Sequence, residues 1–411
     1  MIRRLEIANY KVIRRLPLDL GEFQVLVGPN GSGKSTVMDV FVFLSDLLQV
    51  GIREAVESRA ESLQELTWKM QGGSLEFAVE LELPDSVSGG EYKACRYEIA
   101  LADSTDGQGI FVQAENLFLL PKPVAPLVRQ LSLFPSEPTG PARITHSRAS
   151  TGWRKVFRKT AKKRYEYQSE NTNWHFPYEV IRDTTGLRNL PADEKLFPAS
   201  LTLRRLLGED VHFVQLDIRK MRRPCPPGAK EELNPDGSNF VKAILALKKK
   251  DPQQFDHWTR HVLSFLPEFR AISVRQREED RHFVLELETT TGTAVPVWLL
   301  SDGTIRFLAL TLLAYVPGKN GVALIEEPEN GMHPGALEGV RQSLSSAYDR
   351  QVLVATHSPL FVAGTEPEQL LCFGKTETGT IDVVRGTQHP RLKDWKRSVD
   401  LGTLFASGVL D

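Results

Sequence analysis

The chain has 411 residues, 41% hydrophobic and 25% charged, a balance that excludes disordered and fibrous classes and provides for a large buried core. Its formal net charge of -1 means that binding to nucleic acid or membrane would have to rest on a local patch and not on the field of the whole molecule. Three cysteines, Cys95, Cys225 and Cys372, are odd in number and too far apart for a disulfide framework or a metal-ligand spacing; with no apolar run near the ~20 residues of a membrane helix, a cytoplasmic protein away from the membrane is expected.

Residues 2–7 and 12–20 carry short apolar runs, and residues 23–27 read as a buried strand. That strand runs into Gly28-Pro29-Asn30-Gly31-Ser32-Gly33-Lys34-Ser35, which fits G-x-x-x-x-G-K-[ST] at every fixed position, and Thr36 opens an apolar stretch of helical length. Strand, glycine loop and helix form the context a phosphate clamp needs. The glycines let backbone N–H groups turn inward, Lys34 can reach the β- and γ-phosphates, Ser35 can ligate Mg²⁺, and the helix dipole adds to the attraction. Gly28 to Thr36 are therefore the expected nucleotide-binding residues.

Residues 52–70 read as a charged amphipathic helix, and 75–83 with 93–101 as an antiparallel hairpin. Prolines at 121, 123, 126, 135, 138 and 141 then predict an insertion or linker of brief elements. It leads to a basic stretch with Arg154, Lys155, Arg158, Lys159, Lys162, Lys163 and Arg164, followed by Tyr165, Tyr167 and Trp174. Cations interleaved with aromatics suit a nucleic-acid backbone and stacked bases; a solvated basic helix is the alternative. A smaller cluster, Arg219, Lys220, Arg222 and Arg223, precedes a proline-rich break. Residues 240–247 and 255–266 have helical spacing; His257 and His261 lie four apart, but Trp258 stands where a zinc protease needs its glutamate. Strands are expected over 272–274, 283–287 and 295–299.

Residues 322–327 form an apolar strand ending in Glu326 and Glu327, expected beside the phosphate loop in a parallel sheet. Glu326 at the strand end suits Mg²⁺, held through water, and Glu327 suits the general base that orients and polarises an attacking water. A polar loop, Pro328-Glu329-Asn330-Gly331-Met332-His333-Pro334, follows, and a second buried strand ends at His357. Upstream, Leu300-Ser301-Asp302-Gly303-Thr304 opens an apolar helix.

This set resembles the ABC-type ATPases of the SMC and RecF group, most closely the OLD-like ATPases of prokaryotic genomes. The resemblance implies an α/β fold: an ABC-type P-loop ATPase head with a mixed sheet, an antiparallel β subdomain and an irregular or helical insertion, divided at 1–110, 111–230 and 231–411. It implies ATP and Mg²⁺ as cofactors. Ser301 and Gly303 resemble the signature that contacts the γ-phosphate held by another subunit, Glu329 to His333 the D-loop, and His357 the switch histidine. A homodimer closed on ATP, or a higher oligomer, is implied, together with a separate effector such as a nuclease or toxin in anti-phage defence. There are two departures. Glu326 replaces the usual Asp, and Asp302 replaces the first signature glycine, adding negative charge near an expected phosphate. No sustained heptad pattern joins the two halves. Rival readings are a RecF-like ATPase that binds DNA directly and an ATP-bound scaffold that barely hydrolyses.

Overall fold

The computed structural model describes the chain apart from residues 89, 105–108, 126–132, 138–142, 161–163, 180–183, 317–320, 348–349, 393–394, 396–398 and 411. The first part holds strands β1 (Ile2–Tyr10), β2 (Ile13–Asp19) and β3 (Phe23–Val27), helices α1 (Lys34–Gln49) and α2 (Ile52–Glu57), strand β4 (Leu75–Glu82), helix α3 (Asp85–Ser88) and strands β5 (Ala94–Asp103) and β6 (Ile110–Leu120). The middle adds β7 (Arg154–Thr160), β8 (Arg164–Gln168), β9 (His175–Glu179), α4 (Pro198–Gly208), β10 (Val211–Val214) and α5 (Ile218–Met221). Next come α6 (Phe240–Lys250), α7 (Pro252–Phe265), β11 (Phe269–Gln276), β12 (Phe283–Thr289), β13 (Ala294–Pro296) and α8 (Asp302–Leu312). The chain continues through β14 (Val322–Glu326), α9 (Pro334–Ser345), β15 (Gln351–Ala355), α10 (Pro359–Ala363), β16 (Leu370–Lys375), β17 (Ile381–Arg385) and α11 (Leu401–Ala406).

The central sheet has six strands in the order β10-β14-β15-β3-β16-β17, parallel except for β17. Strands β3 and β15 are buried along their whole length, as expected of parallel strands covered on both faces. Alternate residues divide between two cores. Leu26, Leu324, Leu353 and Phe373 face α1 and the antiparallel sheet, whereas Val25, Ile325, Val352 and Cys372 face α6, α7, α8 and α9. The second sheet is antiparallel, in the order β2-β1-β4-β5-β6-β7-β8-β9, and β11-β12-β13 form a third.

Strand β14 lies in the parallel sheet one strand removed from β3, because β15 pairs with both. Composition marks each as a buried parallel strand but carries no information on which crossover places which neighbour. Residues 52–70 are also less helical than their pattern suggests. Helix α2 ends at Glu57, and Lys69 and Met70 take left-handed φ of 54° and 56°. Here tertiary bonds win over helical propensity. Asn9 donates its amide to the Gly72 and Ser74 carbonyls and accepts from the Trp68 N–H, and the Leu66 carbonyl accepts from the Lys11 N–H.

Residues 111–230 hold more strand than the proline spacing indicates: β6 to β9 extend the antiparallel sheet and β10 edges the central one. Of these prolines, 121, 123 and 135 lie among the described residues between β6 and β7, and backbone amides of that connection end on buried carboxylates. Glu76 accepts from the Ile144 and Thr145 N–H groups, Glu80 from Val124, and Glu98 from His146. On the inner face, Glu115 takes four donors: the Tyr97 and Tyr165 hydroxyls and the Gly186 and Leu187 amides. Buried carboxylates thus do for irregular backbone what a ladder does for a strand.

Candidate nucleotide site

Register alone brings the expected residues to one edge. Leu26 is aligned with Ala355, and Ala355 with Glu326, so the chain leaves three adjacent parallel strands at one level into the 28–33 loop, Thr356-His357 and Glu327. That level is the carboxyl end of the sheet, where open α/β folds bind ligands.

The loop needs glycine. A Cβ on Gly28, at φ 142°, would stand 2.3 Å from the Phe373 carbonyl oxygen of β16, and Gly31 and Gly33 take φ of 73° and 97°. Helix α1 starts with no side-chain cap and no acidic residue in its first turn, so its leading amides are not spent on the protein's own side chains. The buried Lys34 ammonium donates to the Gly28 and Pro29 carbonyls at 2.7 and 2.9 Å. Pro29, Asn30, Gly31 and Ser35 are exposed, Thr36 is half-buried, and the buried Ser32 hydroxyl has no partner.

Opposite the loop, Glu327 takes a left-handed φ of 47°, an uncommon conformation for a residue with a side chain, at the point where β14 ends. Its N–H still pairs with the Ala355 carbonyl at 2.8 Å, and the Asn330 amide donates to its Oε2 at 2.6 Å. Glu329 Oε1 accepts from the Thr356 hydroxyl and the His357 N–H, each at 2.8 Å, joining the loop after β14 to the exposed histidine after β15. Two buried carboxylate oxygens here, Glu326 Oε1 and Glu329 Oε2, have no hydrogen-bond partner. Orphan acceptors at this edge fit a divalent cation, so Glu326 and Ser35 suit Mg²⁺ and the loop suits a nucleoside triphosphate.

Ser301 caps α8: its Oγ accepts from the Thr304 N–H at 3.1 Å and lies 2.8 Å from the Thr304 hydroxyl. Gly303 is required by packing, since a Cβ there would stand 2.5 Å from the Gly331 carbonyl oxygen. The start of α8 and the 328–333 loop therefore touch within one chain. His333 caps α9, and Gln64 donates its amide to the Met70 carbonyl. His261 Nε2 lies 3.0 Å from the Gly339 carbonyl oxygen.

The basic stretch reads differently in three dimensions. It forms the β7–β8 hairpin and not a helix. Tyr165 and Tyr167 are 2% and 1% exposed, with hydroxyls on Glu115 and the Gly186 carbonyl, so neither is available to stack on a base. Their alternation with polar neighbours is the period of a half-buried strand. Arg154 donates to the Ser169 and Thr172 carbonyls, Arg158 pairs with Glu166, Lys159 reaches the Val112 carbonyl, and Lys155 lies over the Phe118 ring. Arg164 and Trp174 are exposed; Lys162 and Lys163 lie outside the described residues.

Sequence reasoning missed the Asn330 contact to Glu327 and an ion pair at the start of α8. Arg222 Nη2 donates to Asp302 Oδ1 at 2.5 Å and Nη1 to the Trp298 carbonyl at 2.7 Å. Two signals were present in the sequence, an acid in place of glycine and an unassigned basic cluster, but nothing local linked them. Among the described residues, no helix is long and apolar enough to cross a membrane.

The family "AAA domain, putative AbiEii toxin, Type IV TA system" matches residues 133–363, more than half of the chain, and the family "AAA ATPase domain" matches residues 1–116. A chromosome partition protein Smc from Methanocaldococcus jannaschii is 33% identical over 78 residues, a match covering 19% of this chain and 6% of that protein. Among solved structures, an Smc head bound to the C-winged helix domain of ScpA is similar with a TM-score of 0.52 at 14% identity, covering 93% of this chain and 96% of the other. The SMC head domain from Thermotoga maritima gives a TM-score of 0.42 at 12% identity, covering 93% and 98%. The phosphate loop, the acid pair and the head fold thus agree with the matches: the chain belongs to the AAA domain family that covers residues 133–363, and it has the fold of an Smc head.

Proposed function

We propose that this chain is a Mg²⁺-dependent ATPase in which ATP joins two copies and the nucleotide state gates a separate effector, in prokaryotic anti-phage defence. The observation that carries the ATPase reading is the single row of strand ends that holds the phosphate loop, Glu326–Glu327 and His357, with a buried Glu326 oxygen left unpartnered. The defence setting rests on the resemblance to the OLD-like ATPases alone.

On this reading the Lys34 ammonium exchanges the Gly28 and Pro29 carbonyls for phosphate oxygens, and the α1 amides bind the remaining charge. Ser35 and Glu326 would hold Mg²⁺, which would supply charge neutralisation for the bound triphosphate. Asn330 holds Glu327 Oε2, which leaves Oε1 to take the proton of the attacking water. Glu329 fixes the His357 backbone at the strand-end level of the phosphate loop, and the exposed imidazole serves the γ-phosphate. Ser301 and Gly303 serve the site of the other copy.

Glu327→Gln separates this from a nucleotide-binding scaffold. Light scattering with Mg-ATP should show the mass doubling as unhydrolysed ATP accumulates, and the wild type should return to monomer as ATP is consumed. A Glu327→Gln chain that stays monomeric with saturating Mg-ATP contradicts the reading.

A further inference from the structure

We propose that Arg222 is a positioning residue of the signature surface. It brackets Ser301 from both sides and cancels the charge of Asp302, so that an acidic residue can stand next to the partner copy's γ-phosphate. The inference rests on the ATP-joined pair described above and adds a residue to it.

The geometry is specific. The guanidinium donates to the Trp298 carbonyl three residues before Ser301 and to the Asp302 carboxylate one residue after it. One planar group therefore fixes both ends of the turn whose serine caps α8. The anchor is itself rigid. Arg222 follows α5, where Met221 is fully buried, and its N–H bonds to the Ile218 carbonyl. Three residues on, Cys225 exchanges both backbone hydrogen bonds with Phe283, at 2.8 Å each, pinning the segment to β12.

Stability does not account for the pair. The two side chains are 28% and 64% exposed, and ion pairs this open to solvent add little to folding. Charge placement does account for it. A bare carboxylate in the first turn of α8 would repel an incoming triphosphate, whereas a neutralised one leaves the α8 amides and Ser301 to act, with unused guanidinium N–H groups beside them. Lysine would supply the charge but not the two-point bracket.

The test uses full-length chains carrying Glu327→Gln and measures ATP-driven association by light scattering, with fluorescent-nucleotide binding to the monomer as a control. Arg222→Ala should raise the chain concentration needed for association at least 10-fold while nucleotide binding by the monomer stays unchanged. Arg222→Lys should recover part of the loss. Adding Asp302→Asn to Arg222→Ala should recover most of it, a rescue that a purely structural role would not give. Association unaffected by Arg222→Ala, or a loss that Asp302→Asn leaves in place, overturns the inference while the ATPase reading stands. Failure of the Glu327→Gln parent to associate removes the pair of chains and this inference together.

Discussion

The molecule treats its buried acids in two ways. Across the antiparallel sheet, Glu76, Glu98 and Glu115 have both oxygens hydrogen-bonded, to side chains and to the backbone amides of irregular segments. At the carboxyl edge of the central sheet, Glu326 and Glu329 each keep one buried oxygen without a partner. Saturated acids hold the fold, and at the carboxyl edge the unsaturated ones mark where a ligand completes the bonding. Glu80 is intermediate, with one oxygen on Val124 and the other unpartnered, and burial raises its pKa.

The sharpest break between the regions comes from paired substitutions. Glu327→Gln should lower turnover by about 10²- to 10⁴-fold, measured by phosphate release, while the thermal midpoint hardly moves. Glu115→Ala should do the reverse. It strands two hydroxyls and two amides, so urea denaturation should show a loss of about 3 kcal/mol or more, with nucleotide affinity per folded molecule unchanged. A stability loss at Glu327 as large as that at Glu115 would erase the distinction.

Smaller effects sharpen it. Glu326→Gln should weaken the Mg²⁺-dependent part of the nucleotide-induced thermal shift several-fold and leave the ligand-free chain as stable as before, or up to about 1 kcal/mol more stable. Among the saturated acids, Glu98 predicts an acid limb. Burial pushes the Glu98 pKa up, but His146 and Arg96 outweigh it and hold the carboxyl below its ordinary value of 4.5. Its contribution is therefore fully present above about pH 4.5 and is lost as pH falls through the depressed folded value. Glu98→Gln should lower stability near neutrality and flatten that limb in denaturation curves taken between pH 5 and pH 3.

What was legible in the sequence follows the same division. The phosphate loop, the acid pair and the capped start of α8 are local patterns, in which a few adjacent residues carry both the geometry and the chemistry. The place of β15 between β3 and β14 was not legible, because strand order is set by crossovers between segments with the same apolar composition. Tyr165 and Tyr167 looked like stacking aromatics for lack of their partner: Glu115, which receives the Tyr165 hydroxyl, lies fifty residues earlier. Arg222 and Asp302 each looked anomalous alone, and only the fold shows that they meet.

The most direct test of a site shared between two copies is complementation. Lys34→Ala chains and Ser301→Arg chains, each inactive alone, are mixed and assayed for ATP hydrolysis. A mixed pair contains one intact site, built from the phosphate loop of the Ser301→Arg chain and the signature turn of the Lys34→Ala chain, so activity should reappear and peak near equal proportions. Full activity in Ser301→Arg alone, or silence at every mixing ratio, would contradict the account.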